Sequence, residues 1–198
     1  LSPHTARCGG AGLLLFLSVL ITRAEQTNFV ASRIETFEKI KTLSCKVRRT
    51  TTAGEKTISL LSAVYFKQDD FLHVTTASPY KRVIIADGKM FYSYVKGDPR
   101  GFSRRIENLD EPYLLSLRNV PGTPMDHLVR LKNAKETILE PTQEYTGRYG
   151  YAVNSAFVVV SLDPKSRIRS IAFYKSPELK DKTAETVYSQ HIEVAEDL

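Results

Sequence analysis

The sequence predicts a mainly β protein with a few helices, an α+β fold built on one antiparallel sheet. Three observations carry this: strand-like runs follow one another through short turns, one amphipathic helix precedes them, and several strands are apolar on both faces.

The N-terminal stretch falls into three zones. His4 and Arg7 lead into an apolar run over residues 11–21, followed by Thr22-Arg23-Ala24. Small residues at −3 and −1 suit signal peptidase, so residues 1–24 are expected to be a secretory signal peptide cleaved after Ala24. The apolar run is short against the roughly 20 residues that a membrane-crossing helix needs. Cys8 lies before that run, not after it, so the acylation site of a lipoprotein is not expected. One domain over residues 25–198 remains, large enough to form a core without disulfide staples. Its 26 basic and 22 acidic residues (28 and 22, less Arg7 and Arg23) make it only mildly basic. Cys45 is then the lone cysteine, expected to be a small buried hydrophobe.

The mature chain opens with a helix expected over residues 29–43. Phe29, Val30, Ile34, Phe37, Ile40 and Leu43 recur at three- to four-residue spacing, and Thr27 or Asn28 can cap it. The pattern then turns to strands over 45–52 and 57–67, with the turn 53–56 between them, and over 71–76. Strands over 81–86 and 90–95 flank Asp87-Gly88-Lys89, a hairpin signal because Gly tolerates positive φ. A turn rich in Gly and Pro (96–101) precedes a short strand over 102–106. Residues 110–119 read as a short helix with Asp110 as cap, and 125–131 as a second. Strands resume over 136–139, 149–162 and 168–174, the last two joined by the turn 163–166, and a final one runs over 185–194. A further strand beyond the last residue is a natural expectation, since this pattern runs nearly to the end. The short connections predict an antiparallel meander, not βαβ units.

Motifs for catalysis are missing. His73, His127 and His191 lie in different elements without metal-ligand spacing, and no nucleophile elbow or phosphate-cradling loop occurs. No catalytic residue, metal or cofactor is therefore predicted. A site where His127 or His191 meets a carboxylate and a hydroxyl would reopen the question. Basic residues cluster at Lys46, Arg48 and Arg49, at Lys81 and Arg82, at Arg100, Arg104 and Arg105, and at Lys165, Arg167 and Arg169. They fit a solvated sheet face, or docking to an acidic partner or an anionic membrane. An exported chain is not expected to bind nucleic acid.

In the strand over 57–67, Ile58, Leu60, Val64 and Phe66 point one way and Leu61, Ala63 and Tyr65 the other. Residues 83–86 are apolar on both sides, and Met90, Tyr92 and Tyr94 oppose Phe91 and Val95. A sheet over water alternates apolar with polar, so both faces are expected to be covered. Either the few helices fill that interior or they leave an apolar ligand cavity.

The order of "IKTLSCKV", "AVYFKQDDFLHV", "RVIIADGKMFYSYV" and "EPYLLSLRN" after a signal peptide resembles the periplasmic lipoprotein-carrier (LolA-like) family. The nearest match is Ile85-Ala86-Asp87-Gly88-Lys89 followed by Phe91, Tyr92 and Tyr94. The resemblance spans about residues 29–174. It implies a strongly curved antiparallel sheet forming an incomplete barrel, with an N-terminal helix and short lid helices over an apolar cavity. It further implies a soluble, monomeric periplasmic carrier of acylated lipoproteins or other lipids, working between an inner-membrane transporter and an outer-membrane receptor. A lipid- or lipoprotein-sensing module of the same fold, acting on an envelope regulator, is the alternative. On this view Val64, Phe66, Leu72, Val74, Ile84, Tyr92 and Tyr94 line the cavity, and Leu114, Leu115 and Leu117 belong to the lid. The family pattern has Lys-Arg-Pro after the second strand, its Arg latching the lid. Lys67-Gln68-Asp69 stands there instead, so Gln68 becomes the latch, hydrogen-bonding a lid carbonyl without charge assistance.

Overall fold

The computed structural model describes residues 28–68, 70–78, 81–109 and 123–195, without the side chains of residues 191 and 193–195. Helix α1 (Phe29–Glu38) is N-capped by Asn28, whose side chain accepts from the Val30 N–H. It ends five residues before the predicted end, because β1 (Ile40–Ala53) begins at once. Ile40 and Leu43 are still buried, at 3% and 2% exposure. A register shift between Ile40 and Thr42 lets two residues three apart turn to the same face, so a helix-like spacing is met within a strand.

Strands β2 (Lys56–Lys67), β3 (Phe71–Ser78), β4 (Arg82–Asp87), β5 (Met90–Val95) and β6 (Gly101–Arg105) then follow as an antiparallel meander. Gly54 and Gly88 take positive φ in the turns after β1 and β4. A 3-10 turn (Ile106–Asn108) and helix α2 (Met125–Leu131) come next. They are followed by β7 (Glu136–Leu139), β8 (Gly147–Val153), β9 (Ala156–Leu162), β10 (Ile168–Tyr174) and β11 (Lys182–Ala195). The predicted helix over 110–119 lies outside the described residues. The single strand expected over 149–162 is a hairpin instead. Asn154 takes φ 50° in its two-residue turn, Asn154-Ser155, which has no Gly or Pro to announce it.

All eleven strands form one antiparallel sheet in the order β6-β5-β4-β3-β2-β1-β11-β10-β9-β8-β7, with β6 and β7 as its edges among the described residues, so the barrel is not closed. Strands β1 and β11 join its two halves, and residues 106–135 link one edge to the other.

The helices among the described residues cover one face, the inner face. Phe37 packs against Phe66, Phe29 stacks on Tyr149 at 4.2 Å, and the His127 ring meets the edge of Phe173. Beneath them Leu43, Cys45, Val64, Leu72, Val74, Tyr151, Val160 and Ile171 are buried, so Cys45 is the small core residue that was expected. The α1 end is tied to the β7 side by polar contacts. Phe29 N–H and the Tyr151 hydroxyl both donate to Glu136 Oε2, and Asn28 Nδ2 donates to Ala134 O.

The expectation that both faces of the meander are covered fails at β2. Leu61 is 42% and Tyr65 55% exposed, whereas Val64 between them is fully buried. No helix among the described residues packs on that second, outer face there. The apolar residues of β2 therefore mark two surfaces of different kinds.

Candidate functional site

Strand pairing fixes which predicted lining residues meet. Val64 stands opposite Val74, Phe66 opposite Leu72, and Val74 opposite Ile84, so these five form one patch on the inner face. Val64, Leu72 and Val74 are buried, and Phe66 and Ile84 are half-buried. Ala86 pairs with Phe91, which puts Phe91 on the inner face; Tyr92 pairs with Ile85 and Tyr94 with Val83, on the outer face. Tyr92 and Tyr94 therefore do not join the other five. The two-residue Gly88-Lys89 loop sets this parity: with Asp87 facing Met90, the next pair inward is Ala86 with Phe91. The lid residues Leu114, Leu115 and Leu117 lie outside the described residues. Gln68 reaches a helix: its Nε2 donates to Glu38 O at the end of α1 (3.3 Å), and its N–H donates to Lys41 O (2.8 Å).

Farther along the inner face, the Tyr188 hydroxyl is buried and has no hydrogen-bond partner among the described residues. Burial raises its pKa well above the ordinary phenol value, so the group is a neutral donor and acceptor. Nearby, His127 Nε2 lies 3.4 Å from Thr186 Oγ1. Burial lowers the His127 pKa to about 4, with Asp126 opposing and Arg49 and Arg130 assisting, so the imidazole is neutral at pH 7. Asp126 engages Arg130 at 3.7 Å. The histidine thus meets a hydroxyl, but the neighbouring carboxylate engages an arginine, and no hydrogen-bonded relay forms among the described residues. His73 is exposed on the outer face beside Tyr65, and the His191 side chain is outside the described residues. No group of three His, Cys, Asp or Glu residues among the described residues could hold a metal.

The outer face carries a feature that the sequence reading did not assemble. A groove of about 400 Å³ runs over β11, β1, β2 and β3, with Leu61, Ala63, Ala77 and Val187 as apolar lining. Lys46, Arg48 and Arg169 also line it, and no acidic residue does. Pairing explains the convergence: Lys46 faces Ala63 and Ser189, and Arg48 faces Leu61 and Val187. The alternation of Lys46 and Arg48 was visible in the sequence. Their alignment with Leu61 and Ala63 needed the register of the β1–β2 hairpin. Other basic residues are neutralised close by: Arg100 by Asp98 (3.2 Å), Arg105 by Glu107 (3.2 Å) and Arg167 by Asp163 (2.7 Å). Burial alone would raise the Asp163 pKa, but hydrogen bonds from Arg167 outweigh it and lower it. Among the described residues no helix is long and apolar enough to cross a membrane.

No family model and no curated protein matches the chain. Among solved structures it is similar to a LolA superfamily protein from Nitrosomonas europaea, at 11% identity and TM-score 0.38, over 85% of this chain and 94% of that one. A DUF1329 family protein from Desulfovibrio piger gives 10% identity and TM-score 0.38, over 85% and 92% of the two chains. The lipoprotein LppX of Mycobacterium tuberculosis gives 12% identity and TM-score 0.35, over 83% and 92%.

Proposed function

We propose that this chain is an exported, monomeric carrier that holds the acyl chains of lipoproteins or other lipids on the inner face of its open sheet. It would take them at the inner membrane and release them at the outer membrane, receiving them from a transporter there and delivering them to a receptor. The observation that carries this reading is the patch of Val64, Phe66, Leu72, Val74 and Ile84 beneath the helical layer of a barrel that is not closed. Polar contacts such as Gln68 to Glu38 O and Phe29 N–H to Glu136 fasten α1 at its ends. The bond to the Glu136 carboxylate contributes about 1.5–3 kcal/mol and the neutral one about 0.5–1.5 kcal/mol. Val30 and Ile34 of α1 are buried as well, so opening the helical layer falls to an incoming apolar cargo or a binding partner. Burial of an acyl chain gains roughly 0.8 kcal/mol per CH2, which holds it firmly yet lets a larger apolar acceptor win. The buried Tyr188 hydroxyl supplies a donor for the carbonyl of an ester or amide linkage.

The test is titration of the exported chain with a fluorescent fatty acid and with an acylated peptide. Ile84→Gln is expected to weaken uptake of both about tenfold, by removing apolar contact. Tyr188→Phe is expected to weaken binding by up to about tenfold while leaving stability equal or higher, since it removes a buried hydroxyl without a partner. Absence of uptake by the unsubstituted chain would sink the proposal.

A further inference from the structure

Of the seven large hydrophobic side chains exposed among the described residues, five share the outer face: Leu61, Tyr65, Phe71, Tyr94 and Ile192. They come from four strands, but the register gathers them. One row of paired residues runs Ile192, Ser44, Tyr65, His73, Ile85, Tyr92 across β11 to β5. The row beside it runs Ser189, Lys46, Ala63, Thr75, Val83, Tyr94. A contiguous exposed apolar surface on a small protein marks a contact site.

Its charge says what the contact is. Lys46 stands in the second row, Arg48 pairs with Leu61 and Val187 in the row beyond it, and Arg169 joins them at the groove. Lys67, paired with Phe71 on the other side, has its ammonium 5.7 Å from the Phe71 ring centroid. Among the described residues, the acids of this face lie at its margin or are paired with a cation. The Asp87 carboxylate accepts from the Met90 and Lys89 N–H groups, and Glu185 accepts from Lys182 at 2.7 Å. Protein–protein contact surfaces are depleted in lysine at their centres, and this one has Lys46 and Lys67 within it. A lipid headgroup layer instead welcomes lysine, arginine and the amphipathic ring of tyrosine together.

We propose that the outer face of β11 and β1–β5 docks on an anionic phospholipid bilayer. Leu61, Tyr65, Phe71 and Tyr94 enter the headgroup layer, and Lys46, Arg48 and Arg169 hold lipid phosphates at the groove. The face is opposite the acyl-binding patch, so docking and cargo uptake use separate residues, and each can fail alone.

The experiment is co-sedimentation of the full chain with vesicles of phosphatidylcholine, with and without phosphatidylglycerol. Residues 11–21 are apolar in their own right, so variants are compared in the same chain. Binding is expected with phosphatidylglycerol vesicles, falling with added salt. Lys46→Glu with Arg48→Glu is expected to weaken it at least twentyfold, roughly fivefold for each cation lost. Tyr65→Ser with Phe71→Ser is expected to weaken it about tenfold. Both pairs are exposed, so far-UV circular dichroism and acyl-probe uptake should be unchanged. Equal binding to vesicles lacking phosphatidylglycerol, unaltered binding by both pairs, or capture of a protein through these residues with no vesicle binding would each overturn it.

Discussion

His127 shows how one buried side chain couples this fold to acidity. It faces Thr186, Phe173, Asp126, Arg49 and Arg130, and burial holds its pKa at about 4 against an ordinary 6.5. The unfolded chain therefore takes up the proton first as pH falls. The stability held by the neutral ring is complete above about pH 6.5 and is lost as pH falls through 4, a loss of about 3 kcal/mol. Urea unfolding of the wild type and His127→Gln between pH 7 and 4 should show the steeper decline in the wild type; parallel curves would refute the assignment. Residue-scale features were unevenly legible. Cys45 was readable as core from its context alone. The Tyr188 hydroxyl was not, because its isolation depends on what β1 and α2 bring above it.

At the scale of elements, alternation found the strands but could not say which parity faced the helices. Apolar alternation set Val64 and Phe66 on one side of their strand, and pairing puts Leu72, Val74 and Ile84 on that same face; Tyr92 and Tyr94 were grouped with them although the Gly88-Lys89 loop reverses their side. Two-residue loops fix register, so that loop held the missing information. The helix end near residue 39 was hidden for another reason: a bulge in β1 gives Ile40 and Leu43 a helical spacing. Caps were clearer. Asn28 closes α1 and also bonds Ala134 O, joining the helix to the chain before β7. Asn28→Ala is expected to lower stability by about 0.5–2 kcal/mol, measured as a reduced urea midpoint with unchanged slope. A change under a few tenths of a kcal/mol would mean that the cap is not made in solution.

For the whole molecule, the antiparallel meander and the short connections gave the fold class before any coordinates. The sheet's central seam was not legible, because no local pattern says that β11 pairs with β1 across more than a hundred residues of chain. That seam runs almost the whole length of β1, from Ile40 with Ala195 to Thr51 with Ala184. A chain ending before Lys182 is expected to show no cooperative unfolding transition, since it exposes the edges of both halves. A sharp transition in that truncated chain would show that the halves fold alone.

The seam also imposes an order in time. Its partners sit at opposite ends of the described chain, so the loop that brings them together cannot close until β11 is available. Until then β1 to β6 can form only half of a sheet whose central edge stays raw. A chain drawn lengthwise through a narrow pore, β1 first, would thus offer little folded resistance on either side. Completion would come as one late event, once the last strand had passed through and found the first.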